Sequence, residues 1–105
     1  MRFILNTPVL TDYGEYRFGP LDVAGAKEWL ARGDVVSAVG HKGTAEVMSA
    51  VLGAEVPVNR VSVKMDQGDE ALVFRLLTRL EEGRVLSAQE LSVLPFELGL
   101  LVRVR

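Results

Sequence analysis

A short apolar run that enters a glycine-flanked turn limits the fold of this chain more than any other stretch. Val35–Val39 has the composition of a buried strand, and the turn Gly40–Thr44 follows it. A helical apolar pattern then covers about residues 44–52, and Gly53 ends it. A strand that passes through a glycine turn into a helix is typical of α/β proteins. Because 105 residues suit one domain of this kind, we predict a single α/β domain over residues 1–105.

Further apolar runs supply the rest of the predicted fold. Strands are predicted over residues 2–7, 58–65, 71–78 and 98–104, and helices over about 23–32 and from Ser87. Asp22 is the expected N-cap of the first helix, and 8–20 is expected to be a loop that could hold a short hairpin. Because four turn residues separate 58–65 from 71–78, those two strands are expected to pair antiparallel. The sum is a mixed, roughly five-stranded sheet with flanking helices.

Composition excludes several kinds of site and partner. The chain has no cysteine, which rules out a disulfide framework, a thiolate metal site and a cysteine nucleophile. Its net charge of −2 argues against binding long nucleic acids, although a few arginines could hold a small anion in a pocket. Apolar runs stay far below the ~20 residues of a membrane span, and the first residues do not resemble a signal peptide. We therefore expect a cytoplasmic protein without membrane contact.

His41 is the best candidate for chemistry, since the chain contains no other histidine. It lies between a strand and a helix, where open α/β sheets bind ligands, and Gly40 and Gly43 let a ligand approach the backbone. The amides of Lys42, Gly43 and Thr44 are expected to point outward at the helix start and bind an anion. The turn is no Walker motif, and no Gly-x-Ser-x-Gly elbow accompanies it. With no metal or cofactor expected, the imidazole is best suited to proton transfer.

Two other charged segments could serve the same pocket. Arg79 could clamp a phosphate and Glu82 could orient a proton relay, although charged loops of this kind are usually only solvated. Arg60 and Lys64 share one face of the predicted strand 58–65. That face is either an exposed side of the sheet or the floor of an anion pocket.

Four segments together resemble one known family. They are Leu5–Gly14, Ser37–Ala45, Pro57–Arg60 and Thr78–Gly83, in order along nearly the whole chain. The most specific parts are the Gly-His-x-x-Thr turn, the Asn-Arg pair and the Arg-Leu-Glu-Glu-Gly loop. The chain resembles the small family of archaeal-virus, phage and bacterial proteins that includes the viral type III anti-CRISPR ring nucleases.

The resemblance implies a homodimer whose sheet continues across the two-fold axis and whose subunits enclose cyclic tetra-adenylate. It implies cleavage of that messenger, without metal or cofactor, to linear di-adenylates that end in a 2′,3′-cyclic phosphate. Such a reaction counters or switches off type III CRISPR signalling, and for a viral protein it takes place in the host cytoplasm.

The resemblance also assigns roles to residues of this chain. His41 and Glu82 match the catalytic positions, and Arg79, Arg60 and Asn6 match ligand-binding positions. A first-loop serine of the best-known viral member has no clean counterpart, and Thr11 could supply its hydroxyl. With the helix-start residues, the predicted ligand-binding set is Asn6, Thr11, Gly40, Lys42, Gly43, Thr44, Arg60 and Arg79.

Two other functions are left open by the sequence. The chain could bind a cyclic or linear nucleotide without turnover, as a sponge or sensor. It could also have a purely structural role in which the predicted strand 98–104 forms an exposed edge for assembly.

Arg75 stands where the best-known viral member of the family has a neutral polar residue, so contacts to the adenines are expected to differ.

Overall fold

The described residues form one mixed sheet of five strands. In this computed structural model, which describes residues 1–7, 12–77 and 95–105, the strands are β1 (Arg2–Leu5), β2 (Tyr16–Pro20), β3 (Val35–Ser37), β4 (Glu70–Leu76) and β5 (Phe96–Arg103). Their order across the sheet is β2-β5-β4-β1-β3. β1 pairs in parallel with β3 and β4, and β5 pairs antiparallel with β4 and β2. The predicted α/β class and mixed five-stranded sheet are confirmed.

Two helices connect these strands, α1 (Val23–Ala31) and α2 (Lys42–Leu52). Asp22 caps α1 as predicted, because its carboxylate accepts a hydrogen bond of 2.7 Å from the Gly25 amide. α2 begins two residues before the predicted position 44, since His41 itself is its N-cap. In the described part of the chain, no helix is long and apolar enough to cross a membrane.

The sheet has a separate apolar cluster on each face. Both helices pack on one face, where Trp29 of α1 and Met48 of α2 join Phe74 in a cluster of buried residues. The second face carries Phe3, Leu5, Ala71, Val73 and Leu101. Met65 is buried against this second face and Val63 is partly buried there. The segment before β4 therefore covers the face that the helices leave open.

The prediction of a strand over 58–65 is wrong. Only Val58 makes a β-bridge, in parallel with Val39. The predicted hairpin with β4 cannot form because β1 and β5 occupy both edges of β4. The alternating pattern is real nonetheless: Val63 and Met65 turn toward the sheet while Ser62 and Lys64 are exposed. A β-strand and an extended segment that only covers a sheet both alternate buried and exposed side chains every two residues. The sequence pattern therefore does not distinguish them.

Two further expectations about edges are corrected. Residues 16–20 are not loop but strand β2, which lies at the edge of the sheet. β5 lies between β2 and β4, so the expected exposed edge at 98–104 is wrong. The helix predicted from Ser87, and Thr78 at the end of a predicted strand, lie outside the described residues.

Asp69 secures the turn that leads into β4. Its carboxylate accepts hydrogen bonds from the Met1 ammonium and from the Asp66 amide. Burial alone raises the pKa of this carboxyl, but those two hydrogen bonds and the charges of Met1 and Arg103 outweigh it and hold the pKa below its ordinary value. The charged carboxylate thus stabilises the start of the central strand.

We predict that Asp69→Asn destabilises the protein at neutral pH by about 1–2 kcal/mol, because charge-assisted hydrogen bonds are lost near the surface. A folded-state pKa below the ordinary 3.8 gives stability that is full above 3.8 and is lost as the pH falls through the folded value. Thermal unfolding at a series of pH values should therefore show the gap to wild type closing in acid.

Asp66→Asn is the matched control, because Asp66 contributes its backbone amide to this arrangement and its side chain is exposed. A constant gap between wild type and Asp69→Asn from neutral to strongly acidic pH would contradict the assignment.

Candidate functional site

A cavity of about 610 Å³ opens at the carboxyl ends of the parallel strands β1 and β3. Its lining residues are Leu5, Asn6, Thr7, Ala38, Gly40, His41, Arg60, Val61, Ser62 and Val63. Parallel strands commonly place ligand sites at this edge of a sheet. The structure thus brings together Asn6, Gly40, His41 and Arg60 of the residues predicted from sequence.

The imidazole of His41 caps α2. Its Nδ1 accepts a hydrogen bond of 3.1 Å from the Thr44 amide and lies 3.2 Å from Thr44 Oγ1. The first amides of a helix lack partners within the helix, and a serine or aspartate oxygen commonly accepts from one of them. Here the ring nitrogen of His41 is that acceptor. Thr44 is buried, and its two contacts to the ring are partly buried.

This cap fixes which ring nitrogen carries the proton. A nitrogen that accepts from an amide has no hydrogen of its own, so the proton of neutral His41 is on Nε2. Nε2 is then the nitrogen left for a ligand in the cavity. The ring presents a hydrogen-bond donor there when neutral.

Arg60 contacts the turn that carries His41. Its Nε donates a hydrogen bond of 3.0 Å to the Gly40 carbonyl oxygen, and its terminal nitrogens make no hydrogen bond to the residues that the structure describes. A Cβ on Gly40 would lie 2.8 Å from Arg60 Cγ. A side chain at position 40 would therefore displace Arg60, and glycine allows this close approach.

A set of hydrogen bonds that sequence reasoning missed ties the segment before Arg60 to β3. The Asn59 side-chain amide donates to the Ser37 carbonyl oxygen at 2.7 Å, and the Asn59 backbone amide donates to Val39 at 2.9 Å. Ser37 Oγ donates to the Pro57 carbonyl oxygen at 2.6 Å. Ser37 is buried among apolar neighbours, and a serine within an apolar run was the one signal of this role in the sequence.

The helix-start residues behave differently from the expectation. Thr44 does not offer its amide to an anion, since that amide is bonded to His41. Lys42 and Gly43 occupy the first turn of α2, where amides have no partner within the helix. Neither residue lines the cavity. Lys64 is also away from it, with its ammonium 3.9 Å from the Asp12 carboxylate.

Three predicted site residues, Thr11, Arg79 and Glu82, lie outside the described residues. Among the described residues that line the cavity, the ionisable side chains are His41 and Arg60, with no carboxylate. Within the same ranges, no three His, Asp or Glu side chains are grouped to hold a metal ion. The described part of the cavity is therefore suited to an anion.

We predict that neutral His41 is the Nε2–H tautomer. Long-range ¹H–¹⁵N correlation spectra of the imidazole read the tautomer directly, and the single histidine gives one set of signals. The expected spectrum has an unprotonated Nδ1. The chain unfolded in urea is the control and should show a mixture of tautomers, and a predominant Nδ1–H form in the folded protein would contradict the cap.

Comparison with known proteins agrees with this fold. A family model described as STIV B116-like matches residues 2–98. Uncharacterized protein ORF117 of Acidianus two-tailed virus is 36% identical over 109 residues, which cover 98% of this chain and 93% of that protein. Uncharacterized protein 26 of Sulfolobus islandicus filamentous virus is 41% identical over 70 residues, or 67% of this chain and 59% of that protein.

A bacterial protein and a solved structure are also similar to this chain. Uncharacterized protein YddF of Bacillus subtilis is 29% identical over 102 residues, which cover 95% of this chain and 94% of that protein. The structure of B116 of Sulfolobus turreted icosahedral virus superposes with a TM-score of 0.79 at 28% identity, over 97% of this chain and 98% of that one. From the family model and these relatives, the chain belongs to the STIV B116-like family.

Proposed function

We propose that this chain is a metal-independent ring nuclease that cleaves cyclic tetra-adenylate into linear di-adenylates with a 2′,3′-cyclic phosphate. The observation that carries the proposal is one cavity lined by both Arg60 and His41, where Nδ1 of the ring accepts from the Thr44 amide and Arg60 Nε donates to the Gly40 oxygen. The resemblance of the His41 turn and the Asn-Arg pair to viral ring nucleases supplies the substrate class. A chain with a net negative charge can bind such an anion, because the local charge of the pocket determines anion binding more than the net charge does.

The proposed reaction needs little beyond alignment, charge and one proton. A ribose 2′-oxygen attacks the adjacent phosphorus, the bond from phosphorus to O5′ breaks, and a five-membered cyclic phosphate forms. His41 Nε2 donates a proton to the departing O5′, a step that typically contributes about 10²–10⁴-fold. The terminal nitrogens of Arg60 pair with the non-bridging phosphate oxygens as their negative charge grows.

A proton donor at His41 requires the ring to hold two protons before the step. The second proton is then on Nδ1, where the Thr44 amide can no longer donate. Thr44 Oγ1, 3.2 Å away, is the acceptor that remains for Nδ1–H. The threonine of the Gly-His-x-x-Thr turn thus has a partner role in either state of the ring.

The other residues take the roles that the resemblance implies. Glu82 is proposed to act in the proton relay that removes the 2′-hydroxyl proton to water, and Arg79 to bind phosphate. Asn6, in the cavity lining, and Thr11 are proposed to contact the nucleotide. Gly40, in the cavity lining, is proposed to present backbone to the ligand at the turn, and Lys42 and Gly43 are proposed to do so at the start of α2, outside that lining.

The proposal includes a homodimer in the host cytoplasm. A two-fold dimer that encloses a ring of four nucleotides places one His41 at each of two opposite phosphates, which explains di-adenylate products. Loss of the ring would silence the nucleases that the messenger activates. The protein would thus counter or switch off type III CRISPR signalling.

A second candidate function is binding without turnover. The cap on Nδ1 favours it, because a neutral Nε2–H ring donates a hydrogen bond to a phosphate without releasing its proton. A sponge or sensor would use the same cavity. Product formation separates the two functions.

The test is incubation of the protein with cyclic tetra-adenylate in EDTA, followed by chromatography of the products. We predict di-adenylates with wild type and a loss of rate of about 10²–10⁴-fold with His41→Asn. Asparagine is the informative replacement because it is a good N-cap, so α2 is kept while the proton donor is removed.

Affinity and dimerisation of His41→Asn serve as controls and should stay close to those of wild type. Binding of intact ligand by wild type without product would overturn the nuclease proposal in favour of the sponge or sensor. Full activity of His41→Asn would remove His41 from the mechanism.

A further inference from the structure

The segment that carries Arg60 has no regular secondary structure, yet it is held to β3 and its extension at several points. Asn59 supplies two of them, with its side chain on the Ser37 carbonyl and its backbone amide on the Val39 carbonyl. Ser37 returns a third bond to Pro57. Val58 also bridges to Val39. We call the bond between Asn59 Nδ2 and the Ser37 oxygen the Asn59 clasp.

Ser37 and Asn59 are well placed to make this clasp durable. Ser37 is 6% exposed and Val39 is fully buried, so the strand side of the contact belongs to the core. The Asn59 side chain is itself partly buried. Hydrogen bonds sheltered from water in this way fix geometry more firmly than those on the surface.

Arg60 itself is exposed, and long exposed arginines normally sample many rotamers. Here its chain is limited from two sides. The Nε–H is bonded to the Gly40 oxygen, and the Cγ lies where the missing Cβ of Gly40 leaves room. The Arg60 side chain reaches this position against Gly40 only while the backbone of Asn59 stays bonded to the extension of β3.

We infer that Asn59 is a positioning residue that holds Arg60 as a preformed phosphate receptor beside His41. The Asn59 clasp fixes the backbone, the Gly40 oxygen orients the guanidinium, and the two terminal nitrogens then face an anion with little reorganisation left. This inference rests on the proposed function, since it assigns the receptor to a phosphodiester of the cyclic nucleotide.

The first experiment needs no ligand. In the folded protein, the Arg60 Nε–H signal is assigned by its loss in Arg60→Lys, and its exchange with solvent is measured by NMR. Asn59→Leu, which removes the side-chain donor at similar size, should speed this exchange about threefold or more while core amides stay protected. Gly40→Ala should do the same by pushing the arginine aside with the clasp intact.

Gln67→Ala is the matched control, since Gln67 is an exposed side-chain amide on the turn before β4 and does not line the cavity. If Asn59→Leu does not fold, Asn59→Ser replaces it, with a shorter polar side chain that cannot span the 2.7 Å clasp. Unchanged exchange of Arg60 Nε–H in the Asn59 variant would overturn the positioning role.

The second experiment asks whether this position matters for the ligand. Affinity for cyclic tetra-adenylate is measured by calorimetry in His41→Asn protein, with Arg60→Ala, Asn59→Leu and the double variant. We expect Asn59→Leu to weaken binding about three- to tenfold when Arg60 is present and by less than about twofold when it is absent.

The outcomes separate the two proposals. Equal losses from Asn59→Leu with and without Arg60 would overturn the link between the clasp and the ligand. No binding by any protein, wild type included, would overturn the proposed function, while the exchange experiment would still decide the positioning role of Asn59.

Discussion

The hydrogen bond from the Thr44 amide to His41 Nδ1 connects the fold of this protein to its proposed chemistry. It starts α2, the helix whose residues Val47 and Met48 are fully buried in the core. Because it occupies Nδ1, Nε2 is the ring nitrogen that the proposed reaction uses. Stability and the proposed reaction therefore depend on the same residue, and replacement of His41 by a residue that cannot cap is expected to affect both.

The cavity exists because the two faces of the sheet are covered in different ways. Helices cover one face, while the extended segment that ends at Met65 covers the other. Val58 in this segment forms a bridge with Val39, two residues after β3. The segment then passes the carboxyl ends of β1 and β3. Arg60 is thereby placed against the His41 turn, although the two residues are 19 positions apart in sequence.

Sequence reasoning succeeded where a signal was local. The Asp22 cap, the strand at Val35 and the helix after the His41 turn were predicted from residues that interact within a few positions. It failed where pairing depended on distant strands. The period-two pattern over 58–65 indicates one buried face but not whether a neighbour offers a free edge, and both edges of β4 were taken.

The candidate site shows the same difference between local signals and contacts between distant residues. His41, Gly40, Arg60 and Asn6 came from motifs and from the rule that ligands bind at the carboxyl ends of strands, and the cavity contains all four. The contact between Ser37 and Asn59 could not be predicted, because a carbonyl that meets a side-chain amide 22 residues away leaves no pattern in sequence. The close approach that glycine allows at position 40 is clear only once Arg60 is seen against it.

The measurement that tests the account most directly is cleavage of cyclic tetra-adenylate in H₂¹⁸O, with the first linear product examined by mass spectrometry. Attack by a ribose 2′-oxygen takes no oxygen from water, so the account predicts an unlabelled di-adenylate with a cyclic phosphate. A first product that contains one ¹⁸O in its phosphate would show direct attack by water and would contradict the proposed attack by the ribose 2′-oxygen.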